Sequence, residues 1–267
     1  MTAVAAPTIR ASAPRIQPVP LMRITRVELR KMLDTRSGFW LLASIAITAV
    51  LVTGAVILWA PNDELTYSTF VSAIGTPMAV LLPLVAILSV TGEWSQRSGL
   101  TTFTLIPHRH RIITAKAISS VLVGAVSVLL AFAVGALGNL LNSAVTSATP
   151  VWDVSVTEFL YFLLGSVLGL LIGFMLGILI RASSGAIAAY FIYSFLLPTV
   201  FLVLANAQSW FKDLQPWIDV TFAQGTLFAF DGALTGEQWA NIAVTGVIWM
   251  VVPLAVGLAF VTRAEVK

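Results

Sequence analysis

"LLGSVLGLLIGFMLGILI", residues 163–180, runs for eighteen residues without a charged side chain. A helix rises about 1.5 Å per residue, so about 20 such residues cross the hydrocarbon layer of a bilayer. The stretch does not alternate apolar with polar positions, and neither does "AVLVTGAVILWA" at 49–60, so short barrel strands are excluded. Backbone N–H and C=O groups in lipid are then satisfied within helices. Outward from this segment the same pattern recurs, giving six spans at about 39–60, 66–91, 117–141, 158–180, 185–206 and 239–262. With 58% hydrophobic and 10% charged residues, the chain reads as an all-α polytopic membrane protein. Residues 38–267 form one six-helix transmembrane domain, preceded by an amphipathic helix at 21–37 and a disordered tail at 1–20. That tail holds four prolines and no apolar core, so it lacks the centre of a secretory signal.

Basic residues flanking spans stay on the cytoplasmic side. Seven lie before the first span, four (Arg97, Arg109, Arg111, Lys116) between the second and third, and Arg181, Arg263 and Lys267 after the fourth and sixth. Fourteen of fifteen cations thus share one side, leaving Lys212 opposite them. Both termini are expected in the cytoplasm and the protein in the plasma (inner) membrane. The cations are spread over membrane flanks and form no single face for nucleic acid.

Several function classes fall away. No charged residue sits near the middle of a span, whereas proton-driven transporters keep ionisable groups there. There is no cysteine, no H-E-x-x-H, no G-x-S-x-G and no G-x-x-x-x-G-K-[ST], so neither a thiolate metal site nor a phosphate-cradling loop is present. His108 and His110, two apart, point about 200° from each other on a helix and read as members of a basic flank, with no metal site.

Polar chemistry concentrates instead in "GEWSQRSGLTTFTLIPHRHR", residues 92–111. Pro77 and Pro83 lie inside the span that leads into it, each removing one backbone bond and bending the helix. Glu93, the lone acid among Arg97, Arg109, Arg111 and Lys116, reads as the hub of a charge-assisted network that shapes the loop. Gly99 and Pro107 punctuate it. Before the first span, Leu21, Met22, Ile24, Leu29, Met32 and Leu33 share one broad helical face, with Arg23, Arg26 and Arg30 opposite, as in a helix lying in the membrane surface. Glu28 projects into the apolar arc. Two readings of it stand: a local pair with Lys31, or contact with another element such as the 92–111 segment.

These residues resemble the six-helix permease subunit of type-2 ABC exporters, which works with separate ATPase subunits. The likeness rests on Glu28 and Lys31 in "ELRKMLDTR", on Gly92, Glu93, Gly99, Leu105, Pro107, Arg109 or Arg111, and Lys116 around the polar segment, and on the six-span layout with a long outer loop between the last two. Leu100 precedes Thr101 where the family often has threonine directly after the loop glycine. The resemblance implies that 92–116 is a coupling segment docking on a cytoplasmic ABC ATPase. It implies a dimer of permeases, homo- or heteromeric, with the substrate path at their interface. It also implies that this chain binds no cofactor, ATP and Mg belonging to the partner. The expected cargo is a hydrophobic or amphipathic compound such as a drug or lipid. The alternatives are a membrane scaffold that transports nothing and an intramembrane enzyme without a recognisable motif.

Two further patterns remain. Gly165, Gly169, Gly173 and Gly177 recur every four residues, a stripe that lets another backbone approach closely, within this chain or in a second subunit. The outer loop at 207–238 mixes Trp210, Phe211, Trp217 and Phe222 with charged residues, which suits short helices at the outer interface serving as an aromatic belt or as a gate over the exit.

Overall fold

A computed structural model describes residues 19–61, 64–95, 109–147 and 149–263. Every regular element among them is helical. Helix α1 spans Leu21–Asp34, α2 Arg36–Trp59, α3 Tyr67–Ser95, α4 Arg109–Thr146 and α5 Val156–Ile180. Helix α6 comprises Ser183–Phe191, a π-helical turn Ile192–Leu196, and Leu197–Ala207. Two short helices follow, α7 (Ser209–Ile218) and α8 (Val220–Gly225), the latter running into a 3₁₀ turn at Thr226–Phe228. Helix α9 comprises Gly236–Gly246, a second π turn Val247–Val251, and Val252–Arg263.

Six helices are long and apolar enough to cross a membrane: Gly38–Trp59, Tyr67–Gly92, His110–Thr146, Val156–Ile180, Ser183–Ala207 and Gly236–Phe260. Five match the spans read from sequence within three residues at each end. The third is longer, because α4 has 38 residues and a length of about 57 Å. Its helix starts at Arg109, so Lys116 lies two turns inside it and does not open it. The segment expected over 92–116 is correspondingly shorter, since Gly92–Ser95 also continue α3.

Local chemistry explains the ends. The Thr35 side chain accepts from the Gly38 N–H at 3.2 Å and separates α1 from α2. Ser155 and Glu158 form a reciprocal capping box at the start of α5, as do Thr235 and Gln238 at the start of α9. Arg181 closes α5 in the left-handed conformation, φ 58°.

Helix α3 is the centre of the bundle, packed against α5, α4 and α2. Val71, Ile74, Met78, Leu82 and Val85 of α3 are buried with Leu170, Phe174 and Ile178 of α5. The glycines of α5 permit this approach: a methyl group at Gly173 would stand 2.5 Å from the Pro83 carbonyl oxygen, and one at Gly177 would stand 3.2 Å from Val90 Cβ. Gly165 lies against the Phe228 ring, whereas nothing stands within 4 Å of the methyl that Gly169 lacks. The stripe thus meets helix α3 and the segment after α8, both of the same chain.

Both prolines lie inside α3, which stays helical throughout. Proline at 83 has no N–H to give to the carbonyl four residues earlier, that of Ala79. The Tyr190 hydroxyl of α6 donates to that carbonyl at 2.6 Å, so a neighbouring helix satisfies the freed acceptor.

Candidate functional site

The strongest polar constellation lies where α1 packs on α4. Lys116 Nζ is 2.6 Å from Glu28 Oε2 and donates also to the Ser89 carbonyl of α3 at 2.9 Å. Lys31 Nζ is 2.7 Å from the other carboxylate oxygen, Oε1. Glu28 is 4% exposed and Lys116 6%, so water screens little of this pair. One turn along α4, the Ser119 hydroxyl reaches the Thr25 carbonyl at 3.2 Å and its own helix at Ala115 at 2.8 Å. Ser89 and Ser120 hydroxyls meet at 3.2 Å, and Thr91 meets Ser183 at 2.8 Å, which ties α3 to α4 and to the start of α6. Burial pushes the Glu28 carboxyl up, but the charge and hydrogen bonds of Lys116 and Lys31 outweigh it and hold it below the usual carboxylate range.

The helical arc of α1 explains why these groups meet. Leu21, Ile24, Thr25, Glu28, Leu29 and Met32 turn toward the bundle, with Glu28 central among them. Met22, at 82% exposure, and Leu33 lie at the edge of this arc beside the exposed Arg26 and Arg30, and Arg23 is exposed as well. The local pair with Lys31 and a contact with another element thus occur together, one oxygen to each partner, but that element is α4 beyond the 92–111 segment. The distant partner is Lys116. Arg111 is half-buried on α4. Arg97, Gly99, Leu105 and Pro107 lie outside the described residues, as do the side chains of Glu93 and Arg109.

A second constellation sits in mid-bundle. A cavity of about 520 Å³ lies between α3, α5, α6 and α8. Its walls carry Gly75, Pro83, Phe162, Gly169 and Phe228, with polar atoms from Ser72, Thr76, Tyr193, Ser194, Thr221 and Gln224. On α3, Ser72, Thr76 and Ala79 form one exposed line along the cleft. The Tyr193 hydroxyl is buried and has no hydrogen-bond partner among the described residues. Tyr193 belongs to the π turn of α6 and meets Trp249 of the π turn of α9 edge-on, ring centroids 5.7 Å apart. Trp249 Nε1 donates to the Ile218 carbonyl at the end of α7 at 2.7 Å. The two π turns are thus joined to each other and to the segment between their helices. A π turn is a local insertion that re-aims side chains, and such turns recur at functional sites.

The segment at 207–238 forms short helices, as expected, and packs part of its apolar surface into the bundle. Phe211, Val220, Ala223 and Leu227 are buried, and α8 closes one side of the cavity. Asp219 holds the turn between α7 and α8, accepting from the N–H groups of Thr221 and Phe222 at 3.0 and 3.1 Å and from Gln215 at 3.0 Å. Of the four aromatics expected as a gate, Trp210 and Phe222 point outward, Trp217 is half-buried and Phe211 packs against Phe201 at 5.7 Å. None of the four lines the cavity. Phe228, another aromatic of the same loop, does line it, together with Tyr193 and Gln224, which the sequence reading did not single out. Their signal was the pair of tyrosines and the serine in "YFIYS" at 190–194, within an otherwise apolar span.

At the end of the bundle opposite α1, Asp153 accepts from the Ser68 N–H at 2.8 Å and from its hydroxyl at 2.6 Å, pinning the 149–155 stretch over the start of α3. Burial raises the Asp153 carboxyl, and the Ser68 bonds overcome that and leave it lowered. Among the described residues no three His, Cys, Asp or Glu side chains converge as a metal site. No protein-family model matches the chain, and no curated protein matches it.

Proposed function

We propose that this chain is the membrane-embedded permease subunit of an ABC exporter of the type-2 class, moving a hydrophobic or amphipathic compound with energy from a separate ATPase. The observation that supports this reading best is the buried Glu28–Lys116 pair. It fastens α1, the helix before the first span, to α4, the helix that follows the polar 92–111 segment. A push delivered to that segment by a soluble motor would then move α1, α3 and α4 as one unit, because their polar contacts are buried and mutually satisfied.

In this reading both termini and the polar segment face the cytoplasm of a plasma-membrane protein. Arg23, Arg26 and Arg30 meet lipid phosphates, Met22 and Leu33 enter the interface, and a second permease subunit completes the transporter. ATP and Mg belong to the partner. The test is purification of the full chain from its native membranes in mild detergent, with mass spectrometry and an ATPase assay on what remains bound. A stoichiometric ATPase that is lost when residues 97–107 are replaced by a Gly-Ser linker supports the reading. A preparation free of any nucleotide-hydrolysing partner overturns it in favour of a scaffold.

A further inference from the structure

We propose that the cavity between α3, α5, α6 and α8 is a binding site for a neutral, largely apolar small molecule that presents a hydrogen-bond acceptor to Tyr193. Four observations converge. The volume, about 520 Å³, falls in the range of small-molecule pockets, roughly 300–1,000 Å³. Its lining is mostly apolar with a few polar groups, and no charged side chain is among the lining residues. An ion brought into such a site would lose hydration with no charged side chain among the lining residues to replace it, which favours a neutral ligand. Asp219, next to the lining residue Val220, is 3% exposed and bonded to Thr221, Phe222 and Gln215, and its negative charge is felt at Tyr193, which further disfavours an anion.

The third observation is the Tyr193 hydroxyl, buried with no partner among the described residues, on a π turn where its ring meets that of Trp249. A buried hydroxyl without a partner is unfavourable, and a ligand acceptor within reach would relieve it. Gly169 completes the case from the opposite wall: it lines the cavity, and nothing stands within 4 Å of an added methyl, so its missing side chain leaves space that no protein atom uses. Binding at this site does not depend on the transport reading, since a protein that only anchors a partner would still take the ligand.

The experiment uses the full chain in lipid nanodiscs and a photoreactive, diazirine-bearing octanol as the probe, with labelled residues mapped by mass spectrometry. Saturable labelling of α3, α6 and α8 around Thr76, Tyr193 and Gln224 is expected, suppressed by excess plain octanol. Gly169→Leu, which fills the space, should cut that labelling at least tenfold, and Tyr193→Phe, which removes only the donor, should weaken it severalfold. Size-exclusion behaviour checks that both variants stay folded. Competition by dioctanoylglycerol as well as octanol would assign the site to neutral lipid, and competition by octanol alone to a free small molecule. Labelling that does not saturate, or that is unchanged in both variants, overturns the proposal. Removal of the ATPase partner should leave the labelling as it was, which separates this result from the test of transport.

Discussion

Lys116 and Glu28 stand 88 residues apart in the chain and 2.6 Å apart in space, both buried. Lys116 continues to the Ser89 carbonyl and Glu28 to Lys31, so the pair is the middle of a chain of four polar groups on three helices. Removing one member of a buried ion pair strands the other, and that cost exceeds the net worth of the pair.

Glu28→Leu and Lys116→Met, each alone, should therefore destabilise the protein by about 3 kcal/mol. The double variant Glu28→Leu with Lys116→Met should recover much of that loss, because two apolar side chains replace two charges. Thermal melting of the purified protein in detergent reads all of these. Losses that simply add in the double variant would show that the two residues do not interact.

The same carboxylate sets a pH dependence. Its folded pKa lies below the usual 4.5, and that of Asp153 below the usual 3.8. A lowered folded pKa means that the stabilisation is present above the unfolded value and is lost as pH falls through the folded one. The melting temperature should be flat from neutral pH to about pH 5 and decline below it. In Glu28→Gln the decline should be shallower, and an equally steep decline would assign it to other groups.

Tyr190 and Pro83 make a matched pair across α6 and α3. Tyr190→Phe strands the Ala79 carbonyl and should cost about 1–3 kcal/mol. Adding Pro83→Ala restores an N–H four residues from that carbonyl and should return most of the loss. A double variant no better than Tyr190→Phe would contradict the assignment of that hydroxyl.

The glycines of α5 should behave unequally under one substitution. Gly173→Ala drives a methyl into the Pro83 backbone at 2.5 Å and should cost about 1–3 kcal/mol. Gly169→Ala meets nothing within 4 Å and should be neutral or stabilising, since alanine favours a helix over glycine by about 1 kcal/mol. Melting curves of the two variants give the comparison directly.

Because the chain contains no cysteine, single introduced thiols report which side each end faces. Arg30→Cys should be shielded from a membrane-impermeant maleimide in intact cells, and Glu237→Cys should react. Reversal of the two would invert the proposed orientation.

The six spans were legible in the sequence because the need to cross a bilayer without unpaired backbone groups acts on each segment separately. The capping boxes of Ser155 with Glu158 and of Thr235 with Gln238, which set the starts of α5 and α9, came from the structure. The extra length of α4 was not legible, since Arg109, His110 and Arg111 look like a loop flank by polarity although they occupy helical positions.

The candidate sites were legible only in part. Glu28 stood out as an acid in an apolar arc and Lys116 as a cation at a span's edge, but the sequence alone did not join them. Nothing near Pro83 announced Tyr190, and ring composition at 207–238 did not distinguish Phe228, which lines the cavity, from Phe211 and Phe222, which do not. Sequence by itself determined that six helices are long and apolar enough to span and roughly where each lies, because helix formation in an apolar setting depends on neighbours within a few turns. Tertiary structure decided that Lys116 answers Glu28, that Tyr190 answers Ala79, and that Tyr193 and Gly169 face one space, because those relations depend on which helical faces meet. That choice is made by close packing of glycine against backbone and by the cost of leaving a buried polar atom unpaired, and both act between residues remote in the chain.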